Sequence, residues 1–350
     1  MKPKIFLSGG GTLGSVMPLL ALWEKLRENY NCIWVGSRKG LERGFVEKKG
    51  IRYLAVPSGK IRRYFSVRNF FAPFFVFAGL KASLCHCLFF RPKAIVVMGS
   101  FVSVPLVWAG WILRIPVIVH QEDIDVGLAG KLTIPFARAV TTAFEETLQK
   151  IKHKNKHWVG NPVRNIFYSV NKNEAERKWK KGNRPVVLVS GGGLGSEKIN
   201  RAVLNVARNI NNECQIIDIT GKDKKTIVNI SNYRQIEQLD DEIAEVMEVA
   251  DIVVSRAGLS TLSELSALGK PAILIPLKSV GQDKNARYFE KKAAAIVVDE
   301  DNLQNLDREI IELLENKEKR NKLAENIKKI FPPNAAKKME EIVEKTAKQT

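Results

Sequence analysis

Two glycine clusters about half a chain apart constrain this sequence more than any other feature. They read Gly9-Gly10-Gly11-Thr12-Leu13-Gly14-Ser15 and Gly191-Gly192-Gly193-Leu194-Gly195-Ser196. Each follows a short apolar run that reads as a buried strand, over 5–7 and 186–189, and each precedes apolar residues at helical spacing, over 16–26 and 199–210. A strand, a glycine turn and a helix start leave backbone N–H groups and the positive end of a helix dipole at one spot. Such a spot receives phosphate or lets backbone approach a ligand closely. Two of them, at equivalent places in two halves, predict two nucleotide-binding-type domains of the α/β class.

The chain has 350 residues, room for two domains, and its 45% hydrophobic content is that of a globular protein. Lys and Arg (56) outnumber Asp and Glu (37), giving a formal charge of +19. That excess favours an anionic partner: nucleic acid, phospholipid headgroups or a phosphorylated substrate. Cys32, Cys85, Cys87 and Cys214 show no CxxC spacing, which argues against a metal site or a disulfide framework and fits a reducing cytoplasm. The first apolar run stops at Gly9, too soon for a secretory signal.

Strand signals over 5–7, 32–35, 53–56, 94–98, 117–119 and 139–142 alternate with helical spacing, and 186–189, 215–219, 252–254, 272–275 and 295–298 repeat the scheme. Near-continuous apolar strands point to parallel sheets covered on both faces. The polar stretch 153–162, ending in Gly160-Asn161-Pro162, reads as a linker, and 171–185 is a second charged, low-apolarity stretch. The expected division is a first domain over 1–160, a second over 161–335, and a charged, solvated helix over 336–350 that can return to the first domain.

The segment 60–92 is separate in kind. Lys60, Arg62, Arg63 and Arg68 lead into an aromatic run that includes Phe70, Phe71, Phe74 and Phe75. It has roughly the 20-residue length of a membrane span, but Pro73, Gly79, Lys81 and His86 interrupt it. Aromatic bulk beside Arg and Lys is instead the pattern of a helix lying on a membrane surface; an ordinary core helix with a basic loop fits the same residues.

Three further stretches carry candidate chemistry. After the strand over 252–254, Gly258-Leu259-Ser260-Thr261-Leu262-Ser263-Glu264 is another glycine turn into a helix, with hydroxyls suited to capping or phosphate and an acid suited to ribose hydroxyls. Gln282, Asp283 and Asn285 follow the strand over 272–275, and His120-Gln121-Glu122-Asp123 follows that over 117–119. In open α/β sheets ligands gather beyond strand carboxyl ends. Capped helices, a polar loop and a structural histidine are the simpler readings. No HExxH, nucleophile elbow or P-loop lysine is present.

These motifs together resemble a known family. Gly10 to Pro18 is similar to its loop GGTGGHxxP, and Met98 to Pro105, His120 to Asp123, Gly160 to Arg164, Arg256 to Gly269 and Gln282 to Ala286 follow in the family's order. The family is MurG, the transferases that add N-acetylglucosamine to lipid I in peptidoglycan synthesis. The resemblance implies a GT-B fold, two facing Rossmann-like domains with parallel sheets and an interdomain cleft. It implies UDP-N-acetylglucosamine as donor, polyprenyl-diphosphate-linked lipid I as acceptor and a peripheral place on the cytoplasmic membrane face. No cofactor, metal or nucleic acid is implied. Carried over by position, the donor-binding residues are Thr12, Leu13, Gly14, Asp123, Arg164, Gly193, Leu239, Leu259, Ser260, Thr261, Leu262, Ser263, Glu264 and Gln282. Glu264 would hold the ribose, Leu239 the uracil through its backbone, and Gln282 the sugar. Gly11, Gly14 and Ser15 would face the acceptor diphosphate, and Arg62, Arg63, Phe70, Phe71, Phe74 and Phe75 the membrane.

The sequence departs from the pattern at Ser15, where the family has histidine, and at Leu13, Gly193 and His120 to Asp123, where it reads HEQN. An inverting transfer needs a base for the acceptor hydroxyl. Serine is too weak a base alone, so Asp123, Glu122 and His120 are the candidates. Another glycolipid acceptor, a catalytically impaired UDP-sugar-binding homologue, a UDP-sugar epimerase of the same fold and charge-driven nucleic-acid binding are the competing readings.

Overall fold

The computed structural model describes residues 2–11, 13–57, 67–180, 182–210 and 213–348. The chain divides into two compact units, Met1–Arg164 with Phe331–Thr350, and Asn165–Ile330. The division thus falls four residues beyond the expected 160.

In the first unit the strands are β1 (Lys4–Ser8), β2 (Asn31–Ser37), β3 (Arg52–Val56), β4 (Ala94–Met98), β5 (Val117–Gln121), β6 (Ala139–Thr142) and β7 (Lys156–Trp158). Among the described residues they form one parallel sheet in the order β3-β2-β1-β4-β5-β6-β7. The connecting helices are α1 (Met17–Leu26), α2 (Glu42–Lys48), α3 (Val67–Phe90), α4 (Ser103–Ile112), α5 (Leu128–Thr133) and α6 (Glu145–Lys150).

The second unit repeats the plan with β8 (Val186–Ser190), β9 (Gln215–Ile219), β10 (Tyr233–Ile236), β11 (Ile252–Ser255), β12 (Ala272–Leu274) and β13 (Ile296–Val297), in the parallel order β10-β9-β8-β11-β12-β13. Its helices are α7 (Lys172–Trp179), α8 (Glu197–Asn209), α9 (Ile243–Val249), α10 (Leu259–Leu268), α11 (Gln282–Lys291), α12 (Leu306–Glu315) and α13 (Lys317–Lys328). In each sheet the strand order reverses beside the first strand, between β1 and β4 and between β8 and β11. Such a reversal opens a crevice at the strands' carboxyl ends.

The apolar runs are continuous because both sheet faces are covered. On β1, Ile5 and Leu7 join a core with Leu19, Leu22 and Trp34, while Phe6 points into the opposite core with Val35, Val97 and Leu106. The last helix, α14 (Ala335–Lys348), lies on α1 in the first unit. It is not wholly solvated: Met339 and Val343 are completely buried in the core that holds Ile5 and Leu7. Phe331 packs on Phe144 at 5.1 Å, which ties the returning segment down.

Two elements differ from the sequence reading. The stretch 153–162 contains the edge strand β7, and β10 was not signalled at all. Both are polar edge strands, Lys-His-Trp and Tyr-Arg-Gln-Ile, with half-exposed residues and no apolar run to announce them. The charged stretch 171–185 opens as α7, capped by Asn171, whose side chain accepts from the Glu174 N–H.

Candidate active site

In the first unit the glycine loop follows β1. Thr12 lies outside the described residues, and Leu13 and Gly14 form a short 3-10 turn with Ser15. Ser15 is buried, and its hydroxyl accepts from the Gly10 N–H at 3.0 Å and donates to the Gly10 carbonyl at 3.3 Å. It staples the loop from within, so its side chain is spent before any diphosphate arrives. Gly11 donates its N–H to the Glu42 carboxylate at 3.3 Å. Buried Glu42 also accepts from the Ser37 N–H at 3.0 Å, the Ser37 hydroxyl at 2.8 Å and the Tyr53 hydroxyl at 3.3 Å. A carboxylate therefore already occupies part of this cradle. Sequence reasoning missed Glu42, because a lone acid in a helical stretch carries no motif.

At the end of β5 the three candidate bases separate by environment. His120 is completely buried; Nδ1 pairs with the Thr141 hydroxyl at 2.9 Å and Nε2 with Asn161 Oδ1 at 3.3 Å. Burial pulls its pKa down to about 4. A neutral ring with both nitrogens engaged is structural, which removes it as a base. Glu122 is 8% exposed, and its Oε1 has no hydrogen-bond partner among the described residues. Burial first, and the Asp123 charge second, push its carboxyl well above the ordinary range. It presses on Gly99, which has φ +39; a Cβ there would lie 3.0 Å from Glu122 Oε2, so both conformation and space require glycine. Asp123 is exposed, and its backbone carbonyl is fixed by the Gln121 amide at 3.1 Å and the Thr147 hydroxyl at 3.3 Å.

In the second unit the residues brought together are the loop 191–196, the start of α10, and Gln282. Gly193 is exposed at the tip of the turn, and Ser196 caps α8 by accepting from the Ile199 N–H. Arg256 ties this crevice together: it donates to the Ser196 hydroxyl at 2.9 Å, to the Ile275 carbonyl at 3.2 Å, and to the Glu300 carboxylate. The Arg256 hydrogen bond, ahead of the lysine nearby, holds Glu300 below its ordinary range.

Helix α10 begins after Gly258 with no side-chain cap, leaving its N-terminal dipole open. Ser260 and Thr261 are half-buried in its first turn, and Glu264 is 9% exposed. Leu262 does not line this site, since its side chain is wholly buried and its N–H donates to the Gly258 carbonyl at 3.0 Å. Leu259 is also a core residue, and the Ser263 hydroxyl donates back to the Leu259 carbonyl at 2.8 Å. Gln282 accepts from the Leu277 N–H at 3.0 Å, which sets its Nε2 within 3.5 Å of where a Gly258 Cβ would stand. Leu239 is half-buried in the loop after β10. Arg164, Leu13, Gly14 and Asp123 belong to the first unit. Among the described residues no group of three His, Cys, Asp or Glu side chains is placed to hold a metal ion.

In the first unit, Phe74, Phe75, Phe77, Leu88 and Phe89 of α3 and Trp111 and Ile112 of α4 are exposed. An apolar cavity of about 310 Å³ opens between these helices, lined by Val76, Phe77, Leu80, Val104 and Trp108 among others. Arg62 and Arg63 lie outside the described residues; Phe70 and Phe71 lie within α3. Among the described residues no helix is long and apolar enough to cross a membrane.

This architecture recurs in solved structures. MurG from Acinetobacter baumannii matches at TM-score 0.77 and 19% identity, covering 99% of this chain and all of that one. The glycosyltransferase of kitacinnamycin matches at TM-score 0.77 and 13% identity over 99% of each chain. UDP-GlcNAc 2-epimerase from Neisseria meningitidis, bound to UDP-GlcNAc, matches at 0.71 and 15%, covering 99% of this chain and 100% of that one. The fold is GT-B. The glycosyltransferase family 28 N-terminal domain matches residues 5–142 and the family 28 C-terminal domain residues 186–345, so the class is that of the family 28 glycosyltransferases.

Relatives narrow the class. A Clostridium botulinum (strain Kyoto) protein is 38% identical over 355 residues, 99% of each chain, and a Clostridium novyi protein 36% identical over 358 residues at the same coverage. Both carry the name UDP-N-acetylglucosamine--N-acetylmuramyl-(pentapeptide) pyrophosphoryl-undecaprenol N-acetylglucosamine transferase. The chain belongs to that transferase family, the MurG family.

Proposed function

We infer that this chain moves N-acetylglucosamine from UDP-N-acetylglucosamine to undecaprenyl-pyrophosphoryl-N-acetylmuramyl-pentapeptide, forming lipid II. The carrying observation is 38% identity along 99% of transferases of that name, across both domains. The second unit suits the donor. An uncapped helix start at α10 favours the diphosphate and stabilises it as it leaves, and Glu264, one turn in, suits the ribose hydroxyls. Gln282, held beside Gly258, suits the sugar.

In the transfer, the acceptor hydroxyl oxygen bonds to the anomeric carbon, the bond from that carbon to the diphosphate oxygen breaks, and UDP leaves with its electron pair. The acceptor proton goes to Asp123. Asp123 is exposed at a strand carboxyl end, whereas Glu122 is walled in, and burial pushes its carboxyl well above the ordinary range. The exposed apolar face of α3 and α4 supports a peripheral seat on an anionic membrane surface.

The purified protein, given labelled donor and lipid I, should release UDP only when lipid I is present. UDP bound but never released would overturn the transferase reading in favour of an impaired homologue. Asp123→Asn should cut kcat by about 100-fold or more, the usual size of a general-base contribution. Glu122→Gln, which mimics the protonated acid, should leave kcat near that of the wild type. The reverse ranking would make Glu122 the base.

A further inference from the structure

The second glycine loop leans directly on the end of β9. A Cβ on Gly195 would lie 2.0 Å from the Thr220 carbonyl oxygen, and one on Gly221 would lie 2.6 Å from the Leu194 carbonyl oxygen, so backbone meets backbone there. Just beyond, Lys224 reaches back onto the loop. Its Nζ donates to the Leu194 carbonyl at 2.8 Å and to the Gly195 carbonyl at 3.2 Å. Among the described residues no carboxylate pairs with this ammonium. Its charge is therefore held in place by neutral carbonyls and is not cancelled.

On the same turn, the N–H groups of Gly192, Gly193 and Leu194 have no partner among the described residues, while that of Gly195 closes the turn onto the Gly192 carbonyl at 2.8 Å. Successive unpartnered N–H groups make an anion-binding concavity. A cation bonded to the carbonyl ends of adjoining peptides polarises them and adds positive potential at that concavity.

We propose that Lys224 is a positioning residue for the donor's diphosphate: it fixes the turn through its carbonyls and holds an uncancelled positive charge beside the N–H groups that receive the phosphates. The proposal rests on the second unit being the donor site. Lys224 comes from the loop after β9, where none of the sequence motifs falls.

The test is calorimetric titration of UDP and, separately, uridine into the full-length wild type, Lys224→Met and Lys224→Arg, at low and high salt. Lys224→Met should weaken UDP binding by about tenfold, the size of one charge-assisted hydrogen bond. It should leave uridine binding unchanged and flatten the salt dependence of UDP binding. Lys224→Arg should restore most of the affinity, and in turnover Lys224→Met should raise the donor KM with little change in kcat. Equal UDP affinity in the wild type and Lys224→Met, or equal losses for UDP and uridine, would overturn the proposal. A wild type that binds neither UDP nor uridine would overturn the donor-site reading and the proposal with it.

Discussion

Single residues in this protein are decided by which hydrogen bonds they have already made. Ser15 illustrates this: its hydroxyl is consumed by both backbone groups of Gly10. Ser15→Ala should leave the buried Gly10 N–H unpaired and cost about 1–3 kcal/mol, read as a lower midpoint in urea unfolding. Asp218 in β9 is the opposite case. It is fully buried, donates nothing when ionised, and has one oxygen without a partner among the described residues, although the Tyr233 hydroxyl donates to the other at 2.5 Å. Burial, opposed by the Tyr233 bond, raises its pKa to about 6. Because the folded pKa lies above the unfolded one, this group's stabilising effect is complete below the ordinary carboxylate range and is lost as pH rises through about 6. Wild-type thermal midpoints should therefore fall as pH rises from the ordinary value of 3.8 to about 6, and Asp218→Asn should flatten that slope. An unchanged slope would show that the carboxyl does not titrate in this window.

At the scale of elements, the amphipathic period is a better guide than charge. Helix α14 carries many lysines and glutamates, yet Met339, Val343 and Ala347 recur at four-residue spacing and fill the core against α1. Met339→Ala should destabilise the first unit by about 2–5 kcal/mol, the range for a buried large-to-small change, measurable by thermal unfolding. A negligible shift would mean that α14 is a solvated appendage after all. Helix α3 shows the other side of the same rule. Its apolar residues run around the helix, so Phe74, Phe75 and Phe77 remain exposed after the core is filled. Replacing all three with serine should reduce flotation with anionic vesicles while leaving UDP binding intact, because UDP is assigned to the other unit.

Across the whole molecule, the charge of +19 makes association with anionic vesicles sensitive to salt, since exposed charges are screened over short distances. Flotation of the wild type should fall as ionic strength rises; insensitivity would leave apolar contact as the sole attraction. Much of the architecture was legible in the sequence. Strands buried on both faces, such as β1, β4, β8 and β11, must be apolar throughout, and glycine turns before helices must present N–H groups. The edge strands β7 and β10 escaped because one side of each is open to water and tolerates Lys, His, Arg and Gln. The candidate site was legible only in part. The turn before α10, Glu264 and Gln282 could be placed from strand ends alone. That Leu262 and Ser263 are spent inside the helix could not. Nor could it be read that His120 is locked between Thr141 and Asn161, that Glu42 fills the first cradle, or that Lys224 straps the second. The sequence by itself determined the order of the buried strands with their turns and helices, because period and turn chemistry act over a few neighbouring residues. Only the tertiary structure decided which polar groups are already satisfied and which remain for a ligand, because their partners come from residues tens of positions away and meet them only after packing.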